Sequence, residues 1–366
     1  MCDLNKLIDI YFSDINISES NITEKDEIKY FKGNYNDFFH GFLIPNQPCI
    51  IQNVTDQWKC KDVWVCGKGP NIAYLRERYG DALVTVADCS QRYFNSQLKT
   101  YTKFKEFADY WENLIEKNYP LSETRLYLKD WHFVKDFPED IVFKVPPEFS
   151  CDWLNEYFTS QKHLNDDYKF VYMGPKGTWT PFHVDVFTSY SWSVNICGEK
   201  KWILLPPEEE NKLKDQFGNL PYDLTHLENL IHFSDKQNIK FKIVIQKAGD
   251  AIFIPSGWYH EVWNMSDTIS INHNWVNACN IDKMWLSMKI SFEEVKKEIS
   301  QFKNSMDDWE DHCQLLLQSC FGMNFKVHGN WILSINQLQY DLMKVEEILN
   351  IFLSYPDVKS RKFLSI

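Results

Sequence analysis

The chain has 366 residues, a length compatible with two or three domains or with one large β barrel and its elaborations. Its 39 basic and 51 acidic residues leave a net charge of −12, which argues against a grip on phosphate backbones and so against nucleic acid as a direct partner. An apolar fraction of 44% with 16% aromatics excludes a disordered chain, and no apolar run approaches the ~18 residues of a membrane span.

Asp3, Lys6 and Asp9 interrupt the stretch where a secretory signal would be apolar. The ten cysteines include no C-x-x-C pair and fit neither a zinc module nor a disulfide framework. Both features point to a reducing compartment; cytoplasmic placement is the expectation, with a nuclear fraction left open.

Residues 1–34 read as a polar lead-in with one apolar stretch at Leu7-Ile8-Tyr11-Phe12. A short buried strand is expected at Cys49-Ile50-Ile51, a helix at Tyr74 to Tyr79 and a strand at Ala82 to Val86. From Lys103 to Lys117, Phe104, Phe107, Tyr110, Trp111, Leu114 and Ile115 recur at three- and four-residue spacing, which predicts an amphipathic helix. Helix–strand alternation is expected to stop there.

From Tyr168 to Val276 the pattern changes to seven or eight short apolar runs bounded by Gly and Pro: FVYM, TPFHVDV, SYSWSVNI, KKWILL, KFKIVIQ, AIFIP, WYHEVWNM and TISINHNWV. Such runs predict a sandwich or barrel, and a jelly roll is the expected closure. Residues 208–238 form a polar insertion between two of them. After Cys279 the chain reads as helical. Trp331, Ile335, Leu338, Leu342, Val345, Leu349 and Phe352 draw one apolar seam, which packing on the chain's own barrel explains better than a homodimer contact through the C-terminal helices.

His183-Val184-Asp185 sits inside an alternating run, where a period of two turns both side chains to one face. Chance alone gives about 1.4 His-x-acid matches for 10 His and 51 acidic residues, and His226-Leu227-Glu228 in the polar insertion is such a match. Context separates the two. Downstream of the first, AGDAIFIPSGWYH brings His260 from a second strand, completing two imidazoles and one carboxylate. That donor set leaves three adjacent positions of an octahedral iron(II) open, whereas zinc favours four donors or a single open position.

FVYMGPKGTWTPFHVDVFTSYSWSVNICGEKKWILLPP followed by KAGDAIFIPSGWYHEVWN resembles the JmjC-domain oxygenases, which depend on iron(II) and 2-oxoglutarate. The resemblance implies a double-stranded β-helix (jelly-roll, cupin-like) core, mainly β with α elaborations. It spans a catalytic domain over 35–280, with the core at about 168–278 and a C-terminal helical segment over 281–366. It implies that His183, Asp185 and His260 are the catalytic metal ligands. Lys200 would anchor the distal carboxylate of 2-oxoglutarate, with Thr180 and Tyr127 beside it. Lys201, of opposite parity, is expected to face outward. Asn272 would meet the C1 carboxylate or water. Ser193 stands where a relative has Asn, and Asn195 on the same face is the alternative contact.

Iron(II), 2-oxoglutarate and dioxygen are the implied cofactor and co-substrates, with succinate and carbon dioxide as co-products. Within the family the chain is similar to a branch that hydroxylates a lysine of the translation termination factor, so a protein substrate is expected. Two rivals are an N-methyl-lysine demethylase and a catalytically inactive jelly-roll binding protein. No zinc-finger reader pattern accompanies the core, which lowers the first; the full triad with Lys200 argues against the second.

Overall fold

The computed structural model describes residues 28–161, 166–224 and 239–337. The apolar lead-in stretch, the His226–Glu228 pair and the seam from Leu338 to Phe352 lie outside the described residues. Among those described, no helix is long and apolar enough to cross a membrane.

The first strands are β1 (Lys29–Phe31), β2 (Cys49–Ile51), the short pair β3 (Val65–Cys66) and β4 (Gly69–Pro70), β5 (Leu83–Tyr93), β6 (Ser96–Lys103) and β7 (Leu126–Trp131). The predicted barrel region supplies β8 (Lys169–Gly174), β9 (Trp179–His183), β10 (Tyr190–Cys197) and β11 (Lys200–Leu205). It continues with β12 (Lys242–Gln246), β13 (Ala251–Ile254), β14 (Tyr259–Asn264) and β15 (Thr268–Trp275).

These strands form a nine-stranded sheet in the order β1-β2-β13-β10-β15-β8-β7-β5-β6 and a four-stranded sheet in the order β12-β11-β14-β9. Ile50, Ile252 and Ile254 from the larger sheet share one core with Trp202, Leu204 and Val262 from the smaller. Two largely antiparallel sheets closed on a common core make the fold a jelly roll, as the strand pattern predicts.

The residues Trp202 to Leu205 of β11 are continuously apolar because both faces of the strand are covered. Trp202 and Leu204 face the shared core, while Ile203 and Leu205 join Phe182, Leu213, Leu224 and Ile239 on the opposite face. The described part of the supposedly polar insertion therefore straps the smaller sheet. Lys201 does take the parity opposite to Lys200, but the strap side is not open to water: Lys201 is only 8% exposed.

Ahead of the barrel, the helix predicted from Lys103 spans Phe104–Glu116 and buries Phe104, Phe107, Trp111 and Leu114. The expectation that alternation ends there is incorrect, because β7 follows and extends the large sheet. The strand expected to stop at Val86 runs on to Tyr93 and returns as β6. Its far half, Ser90 to Tyr93, is exposed and polar, so no hydrophobic periodicity marks it.

The chain divides into two compact units, the first comprising Met1–Ser150, Tyr168–Asp185 and Ser191–His273. The second comprises Cys151–Asp167, Val186–Tyr190 and Asn274–Ile366. It contains the helices Trp153–Ser160, Ile281–Glu298, Trp309–Phe321 and Phe325–Gln337. Its core joins Trp285, Met288, Phe292, Trp309, Cys313 and Leu317. Trp331, the first residue of the predicted seam, is fully buried there and donates its indole hydrogen to the Trp153 carbonyl at 3.0 Å.

Gly174, at the end of β8, lies against the Tyr127 ring. A Cβ there would come within 2.5 Å of Tyr127 Cδ2 and 2.7 Å of Thr178 Oγ1. Gly174→Ala is expected to cost roughly 1–3 kcal/mol of stability in denaturant unfolding, because the Tyr127 ring and Thr178 must shift to admit the methyl group.

Candidate active site

Antiparallel pairing of β9 with β14 sets His183 directly opposite His260. Their ring centroids are 4.2 Å apart. Each ring places Nδ1 against the carbonyl two residues earlier, His183 on Pro181 at 2.7 Å and His260 on Trp258 at 3.1 Å. A carbonyl only accepts, so Nδ1 carries the hydrogen and the Nε2 lone pair of each ring is left free. Burial, aided by the neighbouring His260, pushes the His183 imidazole down to about 3 against the pull of Asp185. His183 is thus a neutral ligand-type imidazole at ordinary pH.

Asp185 does not lie on the strand. β9 ends at His183, so the two-residue period does not explain how the carboxylate joins the rings. Instead Ser191 Oγ, on β10, donates to Asp185 Oδ2 at 2.5 Å and holds it from the far side. One ligand atom each from His183, Asp185 and His260 lie within 4.8 Å of one another.

A bulge orders the rest of this wall. Between His260 and Val262 the register shifts, so three residues of β9 are matched by two of β14 and Thr180 lies opposite Val262. Val262 belongs to the shared core, so Thr180 faces inward with His183 although their parities differ. Trp179 then falls outside, stacked on Trp263 at 4.8 Å. Trp202 and Trp258 pack in the shared core, Trp202 with its ring 5.6 Å from that of His260.

Lys200 opens β11 and is 2% exposed. Its ammonium donates to Ser270 Oγ at 2.8 Å and to Tyr127 Oη at 3.2 Å. No carboxylate pairs with it among the described residues. Burial, with the like charge of Lys129, lowers its pKa to about 7. Burial pushes the Tyr127 phenol up, so it keeps its proton. Asn272 lies two residues beyond Ser270 on β15 and donates Nδ2 to Ser270 Oγ at 3.3 Å, which brings it to the same cluster. Ser193 shares the strand face of Ser191, and its buried hydroxyl has no hydrogen-bond partner. Asn195 is taken by the turn after β10, donating to the Gly198 carbonyl at 2.7 Å.

This chemistry fits the implied groups. Two free imidazole nitrogens and one carboxylate suit iron(II) with open positions. An unpaired buried ammonium and an unsatisfied hydroxyl suit a carboxylate ligand that supplies the missing charge and acceptors.

A profile for a cupin-like domain matches residues 35–281. The 2-oxoglutarate and iron-dependent oxygenase JMJD4 of Gallus gallus is 46% identical over 324 residues, covering 87% of this chain and 75% of that protein. The Homo sapiens protein of the same name is 40% identical over 349 residues, 88% of this chain and 83% of its own length. The chain belongs to this cupin-like JmjC oxygenase family. The arginine-specific demethylase JMJ20 of Arabidopsis thaliana is also similar, 39% identical over 305 residues, 79% of this chain and 65% of that protein.

As a JmjC oxygenase the chain depends on iron(II) and uses 2-oxoglutarate and dioxygen. Sequence reading missed Ser191 and Ser270, the hydroxyls that hold Asp185 and Lys200. The polar positions 268, 270 and 272, alternating with Ile269 and Ile271 along β15, were the available signal for Ser270. It also missed Lys129, which has no signal in a run as short as β7.

Asp185→Ala is expected to abolish iron binding at micromolar metal while the unfolding transition is retained, and Glu228→Ala in the decoy pair to leave turnover unchanged. Ser191→Ala should weaken metal affinity by roughly 10–100-fold, because the carboxylate loses its orienting donor. Metal titration and denaturant unfolding check the Asp185 and Ser191 variants, and a succinate-release assay checks the Glu228 variant.

Lys200 gives a pH dependence. A bound carboxylate favours its protonated form, so the free-state pKa of about 7 is raised on binding. Affinity for 2-oxoglutarate is then full below that value and falls as pH rises above it. Lys200→Arg should flatten the profile, and Lys200→Ala should cost roughly 2–5 kcal/mol of binding at neutral pH, both read by isothermal titration.

Proposed function

We propose that this oxygenase hydroxylates a side-chain carbon of a lysine on a translation termination factor in the cytoplasm. In this reading His183, Asp185 and His260 hold the iron, and Lys200 with Thr180 and Tyr127 holds the distal carboxylate of 2-oxoglutarate. Asn272 meets the C1 carboxylate or the water beside it. Bound there, iron(II) with 2-oxoglutarate supplies the oxidation of a C–H bond by dioxygen, releasing succinate and carbon dioxide.

The observation that carries the reading is the convergence of the two imidazoles and the carboxylate a few ångströms apart, on the inner face that also bears Thr180. The protein's own share is positional. Backbone carbonyls fix both imidazole tautomers, Ser191 orients the carboxylate, and the core excludes water. Substrate choice is supported by the motif-level similarity to the termination-factor branch and by identities of 40–48% to proteins named JMJD4. A net charge of −12 complements a basic protein segment.

Demethylation is the second reading, favoured by the 39% identity to a protein named as an arginine-specific demethylase. The two reactions differ in product. The test incubates the iron-loaded enzyme and 2-oxoglutarate with the intact termination factor and, separately, with methylated lysine and arginine peptides. The expected outcome is one added oxygen on an unmodified lysine by mass spectrometry, with no formaldehyde from the methylated peptides. Formaldehyde without oxygen addition would replace hydroxylase by demethylase.

A further inference from the structure

β7 carries a second buried lysine. Lys129 lies two residues after Tyr127, and strand parity turns it to the face on which Tyr127 meets Lys200. It is 6% exposed. Its ammonium is 3.5 Å from Oε1 of Gln97, the limit of a hydrogen bond, and 5.5 Å from the centroid of the Tyr127 ring. Gln97 in turn donates to the carbonyl of Trp179, next to the inward-facing Thr180, at 3.0 Å.

No carboxylate pairs with Lys129 among the described residues. Neighbouring Asp130 is committed elsewhere, to Lys99 at 2.5 Å and Tyr172 at 2.7 Å. The Lys129 charge reaches both His183 and Lys200, depressing each. Burial lowers its own pKa to about 8, which leaves it protonated at neutral pH.

Charge bookkeeping gives this cation a meaning. The charges of iron(II) and Lys200 together balance those of Asp185 and dianionic 2-oxoglutarate. Lys129 then leaves one positive charge over in a desolvated site. We propose that Lys129 is a specificity-determining residue that keeps cationic groups out of the position where oxidation occurs. The site accordingly takes an uncharged carbon and rejects a methylated ammonium or guanidinium, and a substrate lysine presents a chain carbon with its own ammonium directed away. The inference rests on the hydroxylase reading and supplies a physical basis for it.

The test measures binding without turnover. The full chain is loaded with cobalt(II) in place of iron and with 2-oxoglutarate, and its visible absorption is followed as choline or its uncharged isostere neohexyl alcohol is added. Wild-type protein is expected to bind the neutral probe about tenfold or more tightly than choline. Lys129→Gln, or Lys129→Met if the first variant does not fold, should bring the two within about threefold, and Lys129→Arg should restore the gap. Wild-type protein that does not distinguish the probes, or an unchanged ratio in the neutral variant, overturns the proposal. Failure of the hydroxylase reading shows separately, as formaldehyde in the turnover assay.

Discussion

The pairing of His183 with His260 is the constraint on which the site depends. The two residues are 77 positions apart, and only the antiparallel register of β9 against β14 sets them face to face. A slip of one residue in either strand would rotate its histidine ring to the other side of the sheet. That side is already claimed, since Phe182 and Tyr259, each one position from a histidine, pack together at 5.4 Å in the apolar layer beneath the strap. Burying these two aromatics outward forces the imidazoles inward. The outer cluster therefore contributes to catalysis without touching a ligand, because it selects the register that assembles the metal-binding face.

Electrostatics adds a second level. Among the described residues no carboxylate pairs with the buried ammonium of Lys200 or of Lys129, an arrangement that is unfavourable unless something else supplies the counter-charge. Hydroxyls and an amide oxygen satisfy part of their hydrogen bonding, but neither carries charge. The free protein thus holds positive potential where a dicarboxylate enters, and the charge of Lys129 lowers the tendency of Lys200 to hold its proton. Binding energy comes from relieving that repulsion as well as from new contacts. The contrast with Lys201 is instructive: it is also buried, with its pKa lowered to about 8, yet it has Glu261 nearby and lies on the strap side. One residue of strand parity separates a ligand anchor from a structural charge.

Much of this was legible in the sequence. Alternating runs between turn residues located the barrel strands, because half-buried strands carry a period of two. Parity on KKWILL assigned Lys200 and Lys201 to opposite faces. Legibility failed where tertiary geometry overrides periodicity. Asp185 sits past the end of its strand and is positioned by Ser191, a contact no spacing rule encodes. Thr180 has the wrong parity to face inward with His183, and only the bulge corrects it. The far half of β5 is invisible to hydrophobic patterning because its pairing in a hairpin, with little burial, makes it a strand. The strap was hidden for the opposite reason, since a few apolar residues such as Leu213 and Leu224 do its packing within a polar segment.

Substrate choice has to arise outside the metal-binding triad. The triad answers to iron, and the Lys200–Ser270 pair answers to a carboxylate, so neither distinguishes one oxidisable side chain from another. Lys129 and Gln97 come instead from β7 and β6, strands added to the large sheet ahead of the jelly-roll segment. They reach the site through the Tyr127 ring, whose hydroxyl meets Lys200, and through the Trp179 carbonyl at the start of β9. Substitution at these positions alters charge and shape beside the reacting groups while leaving the ligand strands and their register intact. A family built on one oxidative centre can thus diverge in substrate by changing this wall alone, which is consistent with oxygenase and demethylase names occurring among relatives of this chain at 46% and 39% identity. The added strands are therefore the part of the fold in which a difference of substrate should be sought first.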